Sequence, residues 1–134
     1  MNNYTFRLRP GDDLLDSIDA FVQEKKIEAG CILSGVGSLT RVTLRFANRE
    51  DYSVFDGHFE IVSITGTVSA HGSHVHISVS DESGKTMGGH LVQGCKIYTT
   101  AEVVLAVFED IVYKREFLEN DSGYEELVIY PRQE

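Results

Sequence analysis

With 134 residues, 42% of them hydrophobic and 12 of them glycine, the chain has the apolar share of an ordinary globular domain, which excludes a disordered polymer. Twelve Lys and Arg against 21 Asp and Glu leave a formal net charge of −9, a balance that repels polyanions and disfavours direct DNA binding through a basic stripe. No apolar run approaches the roughly 18 residues of a membrane span, and the opening Met1-Asn2-Asn3-Tyr4-Thr5-Phe6-Arg7 lacks a signal-peptide core, so the expectation is one soluble, cytoplasmic domain over residues 1–134.

Tyr4 to Arg9 alternates between two faces and reads as a strand ending at Pro10-Gly11. A helix is predicted from Asp13 to Lys26, because Leu14, Leu15, Ile18, Phe21 and Val22 form one stripe at helical spacing. Asp12, Asp13 and Asp16 lie near its positive end and Lys25 and Lys26 near its negative end, as the macrodipole favours. Cys31-Ile32-Leu33 then leads into Ser34-Gly35-Val36-Gly37-Ser38, where the glycines predict a tight turn or close backbone packing. Strands follow at Val42 to Ala47, Phe59 to Val68, Val75 to Val79, Thr86 to Leu91, Ile97 to Phe108 and Leu127 to Tyr130, with Asn48 to Gly57 and Glu119 to Gly123 left as long loops. A helix competes only near Thr100 to Val107, where β-branched residues favour strand. The order gives an α+β domain: a largely antiparallel sheet of about seven strands with one main N-terminal helix. Cys31 and Cys95 are too few and too far apart for a disulfide scaffold and read as reduced, structural thiols. Arg41, Arg45 and Arg49 cluster in sequence, but only Arg41, Thr43 and Arg45 alternate onto one strand face.

The segment from Gly72 to His90 carries the most chemistry. Strand alternation puts His74 and His76 on one face and Val75, Ile77 and Val79 on the other. A three-residue loop Glu82-Ser83-Gly84, with Gly84 in the left-handed position, sets Asp81 beside Lys85 and, counting back residue for residue, His76 opposite His90. Facing pairs then have Cβ atoms about 5 Å apart and the diagonal His74 about 7–8 Å away. Three imidazoles so placed can share one divalent ion at about 2.0–2.1 Å, zinc being the first expectation among ions that favour imidazole. A loop one residue shorter or longer breaks the parity unless a bulge at Gly88-Gly89 restores it, and the competing reading is three hydrogen-bonded or solvated histidines. His71 faces away, and Cys95 falls on the wrong parity for a fourth ligand. Three neutral ligands with an open position also suit a hydrolase or hydratase. Such an enzyme needs a general base, for which Glu60 and Glu102 stand inside apolar strand patterns, although each also reads as the solvent face of its strand.

His74-x-His76, Gly88-Gly89-His90-Leu91, Gly94-Cys95 and Thr99-Thr100-Ala101-Glu102, with Ser34 to Ser38 and Gly57 to Gly66 upstream, resemble the prokaryotic branch of the plants-and-prokaryotes conserved (PPC) domain. The resemblance runs from Phe6 to about Pro131. It implies a homotrimeric domain with a metal site at the matched histidines, in a family often labelled DNA-binding. The Arg-Gly-Arg-Pro core of the plant AT-hook is absent, and His58 stands where the plant-type segment carries Arg. The function expected is therefore a trimeric module with a three-histidine metal site at His74, His76 and His90, binding a small molecule or acting as a regulatory accessory. A DNA-associated regulator and a metal-dependent hydrolase or hydratase are the alternatives.

Overall fold

The helix forms where its stripe demands and stops where its caps allow. In the computed structural model, which describes residues 2–133, strand β1 (Asn2–Leu8) precedes helix α1 (Leu14–Glu24). Asp13 caps the helix: Oδ1 accepts from the Asp16 amide at 3.0 Å, and Oδ2 accepts from the Gly94 amide at 2.7 Å, tying the helix start to a distant loop. At the other end Lys26 takes a left-handed φ of 55°, its amide donates to the Gln23 carbonyl, and the Ile27 amide donates to the Val22 carbonyl. This paired closure satisfies carbonyls that the ended helix leaves over. Leu14, Ile18 and Val22 are buried, and Phe21 stacks on Phe6 at 4.1 Å.

Seven more strands follow: β2 (Gly30–Arg45), β3 (Ser53–Val68), β4 (His74–Ser80), β5 (Thr86–Leu91), β6 (Lys96–Val107), β7 (Ile111–Phe117) and β8 (Glu125–Pro131). Six strands make one sheet in the order β1-β6-β2-β3-β4-β5, all antiparallel, and β7 and β8 form a separate two-stranded arm. The predicted α+β architecture with one N-terminal helix is the one observed. Thr100 to Val107 is strand, in register with β1 through Leu8↔Ala101 and Phe6↔Val103.

Three expectations change. The two short segments around Gly35 and Gly37 are one 16-residue strand, so the glycines make no turn. They serve close packing instead. A Cβ on Gly35 would run into the Ile64 side chain, and one on Gly37 into the Thr100 carbonyl. Register shifts between Ile32 and Ser34, Gly37 and Leu39, and Leu39 and Arg41 bend this long strand. The loop expected over 48–57 is shorter, because β3 begins at Ser53 and pairs Val42 with Phe55 and Leu44 with Ser53. Finally, β7 went unpredicted: its Lys114-Arg115-Glu116 run hides a strand whose partners, Val112↔Tyr130 and Lys114↔Val128, lie across a long loop.

The feature that matters for function is closure. Beyond the point where Arg41 pairs with Lys96 of β6, β2 pairs with β5 through Leu44↔Leu91 and Arg45↔His90. Strands β2, β3, β4 and β5 thus close into a ring whose inner side chains, among them Leu44, Ile64, Val75, Ile77, Val79 and Leu91, belong to the core.

Candidate metal centre

The histidine hairpin is held by its own turn. The Gly84 amide donates to the Asp81 carbonyl at 2.9 Å and Gly84 sits at φ 84°, the left-handed position that the three-residue loop requires. Asp81 Oδ1 accepts from the Ser83 hydroxyl, the Ser83 amide and the Lys85 amide at 2.6, 2.9 and 3.0 Å. Those bonds, the Ser83 side chain first, hold the Asp81 carboxyl below its ordinary range. The ladder then runs without interruption from Ser80↔Thr86 to His76↔His90. No bulge is needed at Gly88-Gly89. These glycines let β5 fit between neighbours: a Cβ at 88 would meet the Ile77 carbonyl oxygen at 2.6 Å, and one at 89 the Arg45 carbonyl oxygen at 2.8 Å.

Val75, Ile77 and Val79 point into the core, so His74 and His76 project from the opposite face, beside His90. Ring centroids are 4.9 Å apart for His74 and His76, 5.2 Å for His74 and His90, and 5.6 Å for His76 and His90. One ring nitrogen from each lies within 4.8 Å of the other two. The Nε2 atoms of His74 and His76 are 3.2 Å apart, close to the roughly 3.3 Å that two ligands of a tetrahedral ion with 2.0–2.1 Å bonds must keep. His90 Nδ1 is the one buried side-chain nitrogen or oxygen without a hydrogen-bond partner among the described residues. A bound cation would relieve such an orphaned group. Burial, then repulsion from His76 and Arg115, lowers the His74 pKa, and burial, then Arg45, lowers that of His90. Both shifts favour the neutral ring, the form in which imidazole ligates. The donor set fits a divalent ion with an open coordination position.

A cavity of about 650 Å³ opens on the face carrying His74 and His90. Two other parts of the chain wall it. Arg45 stands across the β2–β5 ladder from His90, and the β7–β8 arm brings Arg115, Tyr124, Glu125 and Glu126. Arg115 Nη2 donates to Thr67 Oγ1 at 2.9 Å, and Thr67 faces His74 on β3. The expected bases are elsewhere. Glu60 is exposed between its ladder partners Ser80 and Ser38, and Glu102 accepts from the Thr100 hydroxyl at 3.3 Å on β6. Both take the solvent face of their strand, and the carboxylates near the histidines are Glu50, Glu125 and Glu126. Sequence reading missed these, because acidic residues in loops and beside an unrecognised strand carry no signal of inward placement.

His71 faces Glu28 at 3.4 Å, away from the triad. The Cys95 thiol accepts from the Thr43 amide and donates to the Thr43 carbonyl, both at 3.3 Å, and burial pushes its pKa up to about 11. Cys95 should therefore resist iodoacetamide at pH 8 in the native protein and react once urea unfolds it, as peptide mass mapping can check. The Arg41-Thr43-Arg45 face does not exist as a basic stripe. Thr43 is buried beneath Gly94, Arg41 pairs with Asp56 at 2.8 Å, and Arg49 lies 3.8 Å from Asp51.

Residues 1–109 match the family described as the Plants and Prokaryotes Conserved (PCC) domain. Among curated proteins, the Bifunctional protein GlmU of a Synechococcus strain is 40% identical over 94% of this chain and 20% of its own length. AT-hook motif nuclear-localized protein 20 of Arabidopsis thaliana is 29% identical over 91% of this chain and 45% of its own. The chain thus spans about a fifth of the length of the GlmU relatives it matches. A solved structure from Salmonella enterica is 37% identical, with a TM-score of 0.96 over 98% of this chain and 95% of that one. A structure of a metal-containing protein from Archaeoglobus fulgidus is 26% identical, with a TM-score of 0.77 over 96% and 94%.

Proposed function

Because the chain belongs to the Plants and Prokaryotes Conserved (PCC) domain family, we propose that it is a trimeric metal-binding module of the cytoplasm. In this reading His74, His76 and His90 hold one divalent ion, zinc first among the candidates, and the module binds a small molecule or acts as a regulatory accessory. The observation that carries it is the convergence of three imidazole nitrogens within 4.8 Å on a rigid hairpin. Two findings lend support: the relative from Archaeoglobus fulgidus is a metal-containing protein, and the GlmU relatives carry the matching segment as a minor part of a longer chain. Such an ion supplies Lewis acidity and lowers the pKa of bound water. The chain's own residues would orient what binds there. Elemental analysis of protein purified without a histidine tag tests the reading: about one divalent ion per chain is expected, and a metal-free folded protein refutes it.

The trimer has its own support. Leu33 and Val36 on β2 and Val62 on the neighbouring β3 are each more than half exposed, apolar side chains that a monomer leaves to water. Closed rotational symmetry buries such faces and protects strand edges. Sedimentation equilibrium should give three times the 15.0 kDa chain mass, and a concentration-independent 15.0 kDa species refutes the assembly.

DNA is the weaker partner. Arg41 and Arg49 already meet carboxylates, and the net charge is −9. At physiological salt the chain should leave a fluorescent duplex unshifted in anisotropy at micromolar protein. Sub-micromolar binding lost in Arg41→Gln/Arg45→Gln would restore the DNA reading. No helix among the described residues is long and apolar enough to cross a membrane.

A further inference from the structure

Two arginines beside the histidines have no carboxylate within ion-pairing distance among the described residues. Arg41, Arg49 and Arg132 each lie within 4 Å of an acid, whereas among the described residues Arg45 and Arg115 bond to uncharged oxygens, the Arg49 carbonyl at 3.2 Å and the Thr67 hydroxyl at 2.9 Å. Both are half-buried and line the cavity with His74 and His90. They come from separate parts of the fold, Arg45 from the end of β2 and Arg115 from the arm, so local sequence alone does not bring them together.

A divalent ion on three neutral ligands beside two guanidinium groups is electrostatically incomplete. With Arg49 taken by Asp51, Arg45 and Arg115 line the cavity with Glu50, Glu125 and Glu126, so the lining offsets one of the ion's two charges and a positive charge is left over. The remedy that uses every feature is an anion with several oxygens. The guanidinium fork matches carboxylate and phosphate oxygens, and a three-ligand metal keeps a position for one more. The cavity, about 650 Å³, is of small-molecule size.

We propose that this cavity is a receptor for the carboxylate or phosphate group of a small molecule, with one oxygen on the triad's metal ion and the others on Arg45 and Arg115. The inference rests on the metal reading above and names the class of ligand it serves. The test uses untagged protein loaded with Co²⁺, with one ion per chain first verified by elemental analysis. Acetate and inorganic phosphate are titrated separately at constant ionic strength while the cobalt visible spectrum is followed, with chloride as the control. At least one anion should change the spectrum saturably where chloride does not, and the one that saturates at lower concentration identifies the group. Arg45→Gln/Arg115→Gln should need at least about tenfold more anion at unchanged cobalt content. The single variants should fall between, and Arg41→Gln, on the Asp56 pair, should match wild type. A spectrum indifferent to both anions, or a cobalt-loaded double variant that responds like wild type, overturns the inference while leaving the metal reading intact. Failure to take up cobalt overturns both.

Discussion

Replacing His76 and His90 by Ala should take the protein from about one bound divalent ion per chain to essentially none. Both positions lie on one rung of the β4–β5 ladder, so the double variant removes the facing pair and leaves His74 as a single imidazole. A lone exposed histidine has no chelate geometry and competes with water on ordinary terms. The substitutions do not touch the core, since the residues that anchor β4 are Val75, Ile77 and Val79, so the chain should still fold. Elemental analysis and circular dichroism of the variant separate loss of metal from loss of structure. A folded double variant that retains stoichiometric metal places the site elsewhere.

The same ion should contribute stability, because the unfolded chain offers no preformed site. At a free metal concentration of 100 times Kd this amounts to about 2.7 kcal/mol, visible as a lower melting temperature in chelator. The pH dependence has a definite sign. His74 and His90 have pKa values below the ordinary 6.5, so protons compete for the ligand nitrogens only on the acid side of that value. Without metal, acidification protonates His74 and His90 in the unfolded chain before it does so in the folded one, so their contribution to stability falls as pH drops below about 6.5.

How much of this was readable in advance depended on the range of the contact. The hairpin was legible because its determinants are local: Gly84 supplies the left-handed turn residue, Asp81 the turn bonds, and the alternation of His74, Val75, His76 and Ile77 the facing. From those the pairing of His76 with His90 follows. The helix was legible for the same reason. The cavity around the histidines was not. It requires β5 to return to the end of β2, which turns Arg45 from a member of an apparent basic cluster into a neighbour of His90. It also requires β7, whose charged run conceals a strand and so conceals Arg115. Thr43 shows the same closure from inside: alternation assigned it to an arginine face, but it is packed under Gly94 and Cys95.

Gly37→Val should be strongly destabilising, and its contrast with Gly84→Ala separates two reasons for a glycine. A Cβ at position 37 points at the Thr100 carbonyl and would lie 2.7 Å from the Ala101 Cα and 2.9 Å from the Thr100 carbonyl carbon. All three atoms are backbone, so no side chain can swing aside. The strand that carries them cannot retreat either, because β1 pairs with its far edge at Leu8↔Ala101. Overpacking of this kind costs up to about 3 kcal/mol or more, a large part of the roughly 5–15 kcal/mol by which domains are stable. At Gly84 a Cβ would meet nothing within 4 Å, and with φ at 84° an alanine there suffers only backbone strain, about 1–2 kcal/mol. Urea denaturation of the two variants should therefore show a much lower midpoint for Gly37→Val, with a modest loss for Gly84→Ala. The consequences for the site differ as well. Gly84→Ala should keep its metal, because the register is also held by the Asp81 bonds and the buried valines, whereas Gly37→Val should lose it along with the sheet. Equal midpoints for the two variants would show that β2 and β6 can separate, and the rigid platform on which the histidines converge would no longer be a fair description of this fold.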